Sequence, residues 1–181
     1  RISKNDANCN KYFGDSEYRY FKWKPIKWRV LQNDGKTLFI AADRGLDCED
    51  FNKFSDDFIW EGCRLRNWLN GSFYTTAFSS EEQNAIVEQN IVNDDNPKYG
   101  TEGGNNTTDR VYLLSIGEAM DSAYGFCEDY NIRSASRRLQ VSDYARARGS
   151  WLSTDSDYAG NCWWLLRTPG SKTDNSMVVT E

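Results

Sequence analysis

Trp60-Glu-Gly-Cys-Arg-Leu-Arg-Asn-Trp-Leu-Asn-Gly-Ser-Phe-Tyr-Thr-Thr-Ala-Phe78 is the stretch that decides how this 181-residue chain is read. Leu65, Trp68 and Leu69 fall at i, i+3 and i+4, the spacing of one helix face. Arg64, Arg66, Asn67 and Asn70 lie off that stripe. Gly71 stands where such a helix would stop, because glycine takes a left-handed backbone at no steric cost. Phe73, Tyr74 and Phe78 carry the apolar surface past the stop. Apolar stripes of this kind face a core, so the stretch reads as a core helix with an apolar extension. Its position after an acidic run suggests that Arg64 and Arg66 pair with that run.

The length suits one domain and is long enough to bury a core. Aromatic residues make up 14% of the chain and mean hydropathy is low, so the core must be built from large rings rather than long aliphatic runs. The net charge of −5 does not favour a nucleic-acid partner. Between Asp43 and Glu61 seven acids (Asp43, Asp47, Glu49, Asp50, Asp56, Asp57, Glu61) face two bases, which reads as a solvated surface or a cation site. Between Arg133 and Arg148 five arginines face only Asp143, which reads as a solvated surface or an anion-binding face. Histidine is absent, which removes the commonest general base and transition-metal ligand. No run approaches the ~20 apolar residues of a membrane helix. The chain starts at Arg1, so an upstream segment is expected to have been removed, by signal-peptide cleavage or by other trimming. The five cysteines (Cys9, Cys48, Cys63, Cys127, Cys162) are widely spaced without C-x-x-C, which argues against a zinc ribbon. At least one is unpaired. Cys63 and Cys162 sit in apolar surroundings suited to buried thiols, and a Cys48–Cys63 bridge is open.

Residues 1–20 read as an irregular lead-in, and residues 21–181 as the domain. Trp28-Arg-Val-Leu and Thr37-Leu-Phe-Ile-Ala-Ala flank Asn33-Asp34-Gly35 and predict a β-hairpin. In the acidic loop, Phe51, Phe54 and Phe58 are expected to pin the chain to the body. Ser79 and Glu82 form a capping-box pattern that opens a helix to about Val87, and Ser115 and Glu118 repeat it to about Tyr124. Residues 93–108 read as a long turn-rich loop. Arg110-Val-Tyr-Leu-Leu predicts a strand, Asp143–Gly149 a helix ended by its glycine, Cys162-Trp-Trp-Leu-Leu-Arg a strand stopped by Thr168-Pro169-Gly170, and Met177-Val-Val a further strand. Short strands and helices without βαβ alternation predict an α+β fold with a mainly antiparallel sheet.

Several blocks stand along the chain: Trp28-Arg-Val-Leu, Trp60-Glu-x-Cys-x-Leu-Arg-x-Trp-Leu-Asn70, Phe73-Tyr, Ala77-Phe-Ser-x-Glu81, Gly103-Gly104, Thr108-Asp109, Leu113-Leu-Ser115, Glu118, Tyr144-Ala-Arg-Ala-Arg-Gly149 and Trp163-Trp-Leu. In this order they resemble a bacterial domain of unknown function common in gut Firmicutes, of C-type-lectin-like fold, from about Trp28 to Gly170. That family ends a strand in Trp-Leu-Arg-Ser-Pro-Gly; here an extra Leu intervenes, which shifts later side chains unless a bulge absorbs it. The resemblance also implies a closing strand that pairs with the first, and it is expected to be missing beyond Glu181. More distantly, the chain is similar to formylglycine-generating sulfatase-modifying enzymes and to retroelement variable proteins, in which a lectin-like domain displays a ligand face near its C-terminus.

A nucleophile–His–acid triad is excluded by composition. The formylglycine-generating enzymes use two nearby late cysteines, whereas only Cys162 is late here, so an oxidase of that type is the enzymatic alternative. A paired-carboxylate glycosidase finds no support in the resemblance. Asp94, Asp95, Asn96 and Glu102 could supply oxygen ligands to Ca2+, the one cofactor considered. Trp163 and Trp164 alternate across a strand, so one ring is expected to face away from the core. Polar runs at Ser150–Asn161 and Ser171–Ser176 flank them and suit contact loops. The expected protein is a non-catalytic ligand-binding or display module, extracellular or at the cell surface. Its protein or glycan ligand would meet Trp151, Tyr158, Asn161, Trp163 and Arg167. A structural accessory domain without a ligand is a further alternative.

Overall fold

The computed structural model describes all residues except 7–14, 23, 53–58 and 181. Cys9, Phe54, Asp56, Asp57 and Phe58 therefore lie outside the described residues. In chain order the strands and α-helices begin with β1 (Ile2–Ser3), β2 (Tyr18–Arg19), β3 (Trp28–Asn33) and β4 (Leu38–Ala42). Then come α1 (Arg64–Trp68), α2 (Tyr74–Ala77), α3 (Ser80–Ala85), β5 (Gln89–Ile91) and β6 (Thr107–Asp109). The chain finishes with β7 (Leu139–Gln140), α4 (Asp143–Arg148), β8 (Asn161–Cys162), β9 (Trp164–Pro169) and β10 (Ser176–Val179). The fold is mixed α+β, with short helices and small antiparallel sheets. The strands do not join one sheet: among the described residues they make two-stranded pairs, β1–β2, β3–β4, β5–β6, β7–β8 and β9–β10.

The chain divides into two compact units. One comprises Arg1–Cys48, Met120–Trp164 and Val179–Glu181, and the other Glu49–Ala119 and Leu165–Val178.

In the first unit the expected hairpin forms. Trp28 pairs with Ala42 and Asn33 with Leu38, and a bulge between Val30 and Gln32 turns Leu31 inward. The turn is held by its own side chains. Asn33 Oδ1 accepts from Gly35 N, and Asp34 Oδ1 accepts from Lys36 N and Thr37 N. Those backbone donors, Thr37 first, hold the Asp34 carboxyl below its ordinary value. Within the expected lead-in, β1 pairs with β2, and Ile2 is buried with Ala147 and Phe21. α4 is capped by Ser142 and ended by Gly149 at φ 107, and it buries Ala145 and Ala147. Those small side chains face inward while Arg148 reaches out to Asp47 at 3.2 Å.

The second unit holds the opening stretch. Phe51, Trp60, Cys63, Leu65 and Leu69 form its buried cluster, with Trp68, Phe73, Tyr112 and Leu165 packed against it. The helix does not stop at Gly71. A π turn over Leu69–Phe73 joins α1 to α2, and Gly71 is not in the left-handed region. Five residues along an α-helix a side chain lies about 140° round the axis; the wider i→i+5 turn instead brings Phe73 onto Trp68, with ring centroids 5.0 Å apart. The helix ends at Ala77, where Phe78 goes extended. The Ser79–Glu82 capping box is present, although α3 ends at Ala85. The Ser115–Glu118 box is present too, at 2.8 and 3.1 Å, and leads into a single 3-10 turn, Glu118–Met120.

Two strands fall elsewhere than expected. β6 lies at Thr107–Asp109 and pairs with β5, whereas residues 110–114 join no ladder. Their backbone is taken by side chains: Asn70 Oδ1 accepts from Arg110 N and Val111 N, and Asn70 Nδ2 donates to Val111 O. The strand expected from Cys162 onward is broken at Trp163, so that β8 pairs with β7 and β9 with β10.

The Cys63 thiol is free and 1% exposed, so no Cys48–Cys63 bridge exists. Burial pushes its pKa up from 9.0 to about 11, against the opposing pull of Arg66 N–H on the sulfur. A raised folded-state pKa means stability that is whole below pH 9.0 and lost as pH rises toward 11. The urea midpoint is expected to fall across that window, and to fall less in Cys63→Ala. Equal slopes in the two proteins would assign the loss to other groups.

Candidate functional site

Of the expected ligand residues, Trp151, Tyr158, Asn161 and Trp163 belong to the first unit, where Asn161 lies in the β7–β8 ribbon and Trp163 directly follows it. The register is Leu139↔Cys162 and Gln140↔Asn161. One face of the ribbon packs on Gly45, where an added Cβ would meet Val141 Cγ1 at 3.2 Å and Cys162 Sγ and Leu139 Cδ2 at 3.7 Å. That close approach leaves little room for a side chain at position 45 and makes the Leu139–Cys162 face the inner one. Arg138 and Trp163 leave the same end of the ladder, one residue beyond its last pair, and both are exposed.

The loop between Ser153 and Asn161 is closed by its own backbone. Ser153 N donates to Asn161 O at 2.8 Å, and Asn161 N to Tyr158 O at 2.9 Å. Tyr158 is thereby held half-buried, with the Arg138 guanidinium 4.6 Å from its ring centroid and that of Arg133 5.5 Å away. Trp163 is 45% exposed and Trp151, two residues before the closed loop, 48%. Trp164 is the inward ring of the pair, half-buried with Nε1 donating to Arg137 O at 3.1 Å.

The remaining expected residues are placed differently. Asn161 is buried at 7% and serves the loop through its backbone. Arg167 belongs to the second unit and is 6% exposed. Its guanidinium donates to Leu113 O at 2.8 Å, Val92 O at 3.2 Å and Glu118 Oε2 at 2.5 Å. Both are therefore interior groups. Arg133 and Arg138, by contrast, were visible in the sequence only as members of the arginine run. That run has divided: Arg137 is buried on the carbonyls of Cys127, Asp129 and Ile132, and Arg148 is paired with Asp47.

The residues considered for Ca2+ lie in the second unit. Asn96 is 1% exposed; its oxygen accepts from Lys98 N and Tyr99 N, and its amide donates to Pro169 O at 2.7 Å. Asp95 Oδ1 accepts from Gly103 N. Among the described residues no three His, Cys, Asp or Glu side chains group as a metal site. The acidic segment has partners of its own: Arg64 bonds Glu49 at 3.0 Å, as the sequence suggested, while Arg66 turns to Asp109 at 2.6 Å. Among the described residues no helix is long and apolar enough to cross a membrane.

No curated protein and no solved structure matches the chain. The profile of a family described as "Domain of unknown function (DUF6273)" matches residues 34–181, which takes in the second hairpin strand, the helical stretch around Trp60 and the Trp163 ribbon. With most of its length matched, the chain belongs to the DUF6273 domain family.

Proposed function

We propose that this domain is a non-catalytic ligand-binding or display module, of C-type-lectin-like kind, in a secreted or cell-surface bacterial protein. The observation that carries the reading is a pair of exposed indole rings, Trp151 and Trp163, that make no hydrogen bond or ring contact among the described residues. Trp163 and Trp151 are about half exposed on either side of a loop whose backbone is closed on itself. Large rings standing out on a fixed scaffold are the residues that dominate binding energies. The binding face is thus Trp151, Tyr158 and Trp163, with Asn161 shaping the loop behind them. The ligand is a protein or a glycan.

Screening the domain on glycan and protein arrays tests this. A ligand is expected whose affinity falls roughly 30-fold in Trp163→Ala and in Tyr158→Ala. Stability at Trp163 should change by no more than about 1 kcal/mol, because the ring is already half in water. If the substitutions unfold the protein, or leave the affinity of every array ligand unchanged, the rings are structural and the reading falls.

A further inference from the structure

We infer that the Tyr158 surface recognises an anionic saccharide, holding a carboxylate or sulfate between Arg133 and Arg138; this rests on the binding-module reading and names its ligand class. Both guanidinium groups stand over one ring, at 5.5 and 4.6 Å from its centroid. Both side chains are exposed, and among the described residues neither has a carboxylate at ion-pair distance. Two cations gathered on one ring repel each other, and the chain has acids to spare, 27 against 22 bases, with which to neutralise them. The acids nearest Tyr158 in sequence are turned to the loop itself: Asp155 Oδ1 accepts from Asp157 N, and Asp157 Oδ1 from Ser156 Oγ. Asp129, the acid nearest Arg133 in sequence, accepts from Asn131 N and Nδ2.

Such an arrangement suits an incoming anion. Guanidinium forks match planar or tetrahedral oxyanions, and stacking on Tyr158 orders them before the ligand arrives. Trp163, leaving the same ladder end as Arg138, adds a flat apolar surface beside the charge. A sugar ring carrying an acidic group presents both complements at once, which an acidic peptide without aromatic partners does not.

The test is titration of the intact domain with a heparin-derived oligosaccharide and an oligogalacturonate. A neutral cello-oligosaccharide of matched length and a poly-glutamate peptide serve as comparators. One acidic oligosaccharide is expected to bind, which distinguishes sulfate from carboxylate recognition. Its affinity should fall with added salt, and roughly tenfold in each of Arg133→Gln and Arg138→Gln, with partial recovery in Arg138→Lys. Unchanged melting of these exposed variants confirms that affinity alone moved. Binding of the neutral sugar only, weakened by Trp163→Ala, overturns the anion inference and leaves the binding-module reading standing. Equal binding of poly-glutamate overturns the saccharide class. Acidic-sugar binding untouched in the double variant, or no binding of any acidic sugar, overturns the inference, and array hits then judge the broader reading separately.

Discussion

Replacing Asp109 by Ala is expected to cost about 3–5 kcal/mol, enough to unfold the second unit at modest denaturant. The carboxylate is wholly out of water, at 0% side-chain exposure. It accepts from Arg66 Nε at 2.6 Å, Thr107 Oγ1 at 2.7 Å, Trp60 Nε1 at 2.9 Å and Asn70 Nδ2 at 3.3 Å. Removing it leaves the buried Trp60 N–H and Thr107 hydroxyl without an acceptor, and each orphaned group adds its own desolvation cost, about 1–3 kcal/mol. Asp109→Asn keeps the shape but presents N–H where donors already point, so it should recover only part of the loss. Arg66 is 21% exposed and less dependent on its partner. Arg66→Ala should therefore cost less than Asp109→Ala, and the double variant less than the sum of the two by at least about 1 kcal/mol. Chemical denaturation followed by tryptophan fluorescence measures all four. A loss below about 1 kcal/mol for Asp109→Ala would mean that water replaces the carboxylate and that the node is not structural.

That node explains why some of the fold was legible in the sequence and some was not. Local chemistry was readable: Asn33-Asp34-Gly35 closes its own turn, and Ser79–Glu82 and Ser115–Glu118 cap themselves, because both partners sit within a few residues. The opening stretch was readable as core, since Leu65 and Leu69 do face the cluster with Trp60. What decided its outline lay some 40 residues away. Asn70 donates to Arg66 O and to Val111 O and accepts from Arg110 N, so it ties the π turn to residues 110–111 and satisfies a backbone that an apolar pattern assigns to a strand. Gly71 then passes through the helix instead of ending it. At the candidate site the same limit applied. Alternation told that one of Trp163 and Trp164 faces out, but not that the strand breaks between two partners at Trp163. Composition marked the arginine run, but the division of Arg133 and Arg138 from Arg137 and Arg148 depends on tertiary acceptors.

Arg167 is the sharpest case, and Arg167→Ala is expected to cost about 3–5 kcal/mol in stability. Its residue type and its place near the end of the chain suggested a ligand contact. In the fold it is instead the strut between β9 and residues 92–118. Its backbone N–H donates to Leu114 O at 3.0 Å, and its side chain reaches Leu113 O, Val92 O and Glu118. Glu118 in turn caps Ser115 N, so loss of the guanidinium loosens a helix start and leaves the carbonyls of Leu113 and Val92 without their donor. Arg167→Lys keeps the charge but has no fork to span three acceptors, and should restore less than half of the loss. The decisive measurement sets stability against affinity. Below its melting temperature Arg167→Ala should bind any array ligand within about twofold of the parent, because the proposed binding face lies in the other unit. A variant that melts normally yet loses its ligand would return Arg167 to the binding face and remove the structural role assigned to it.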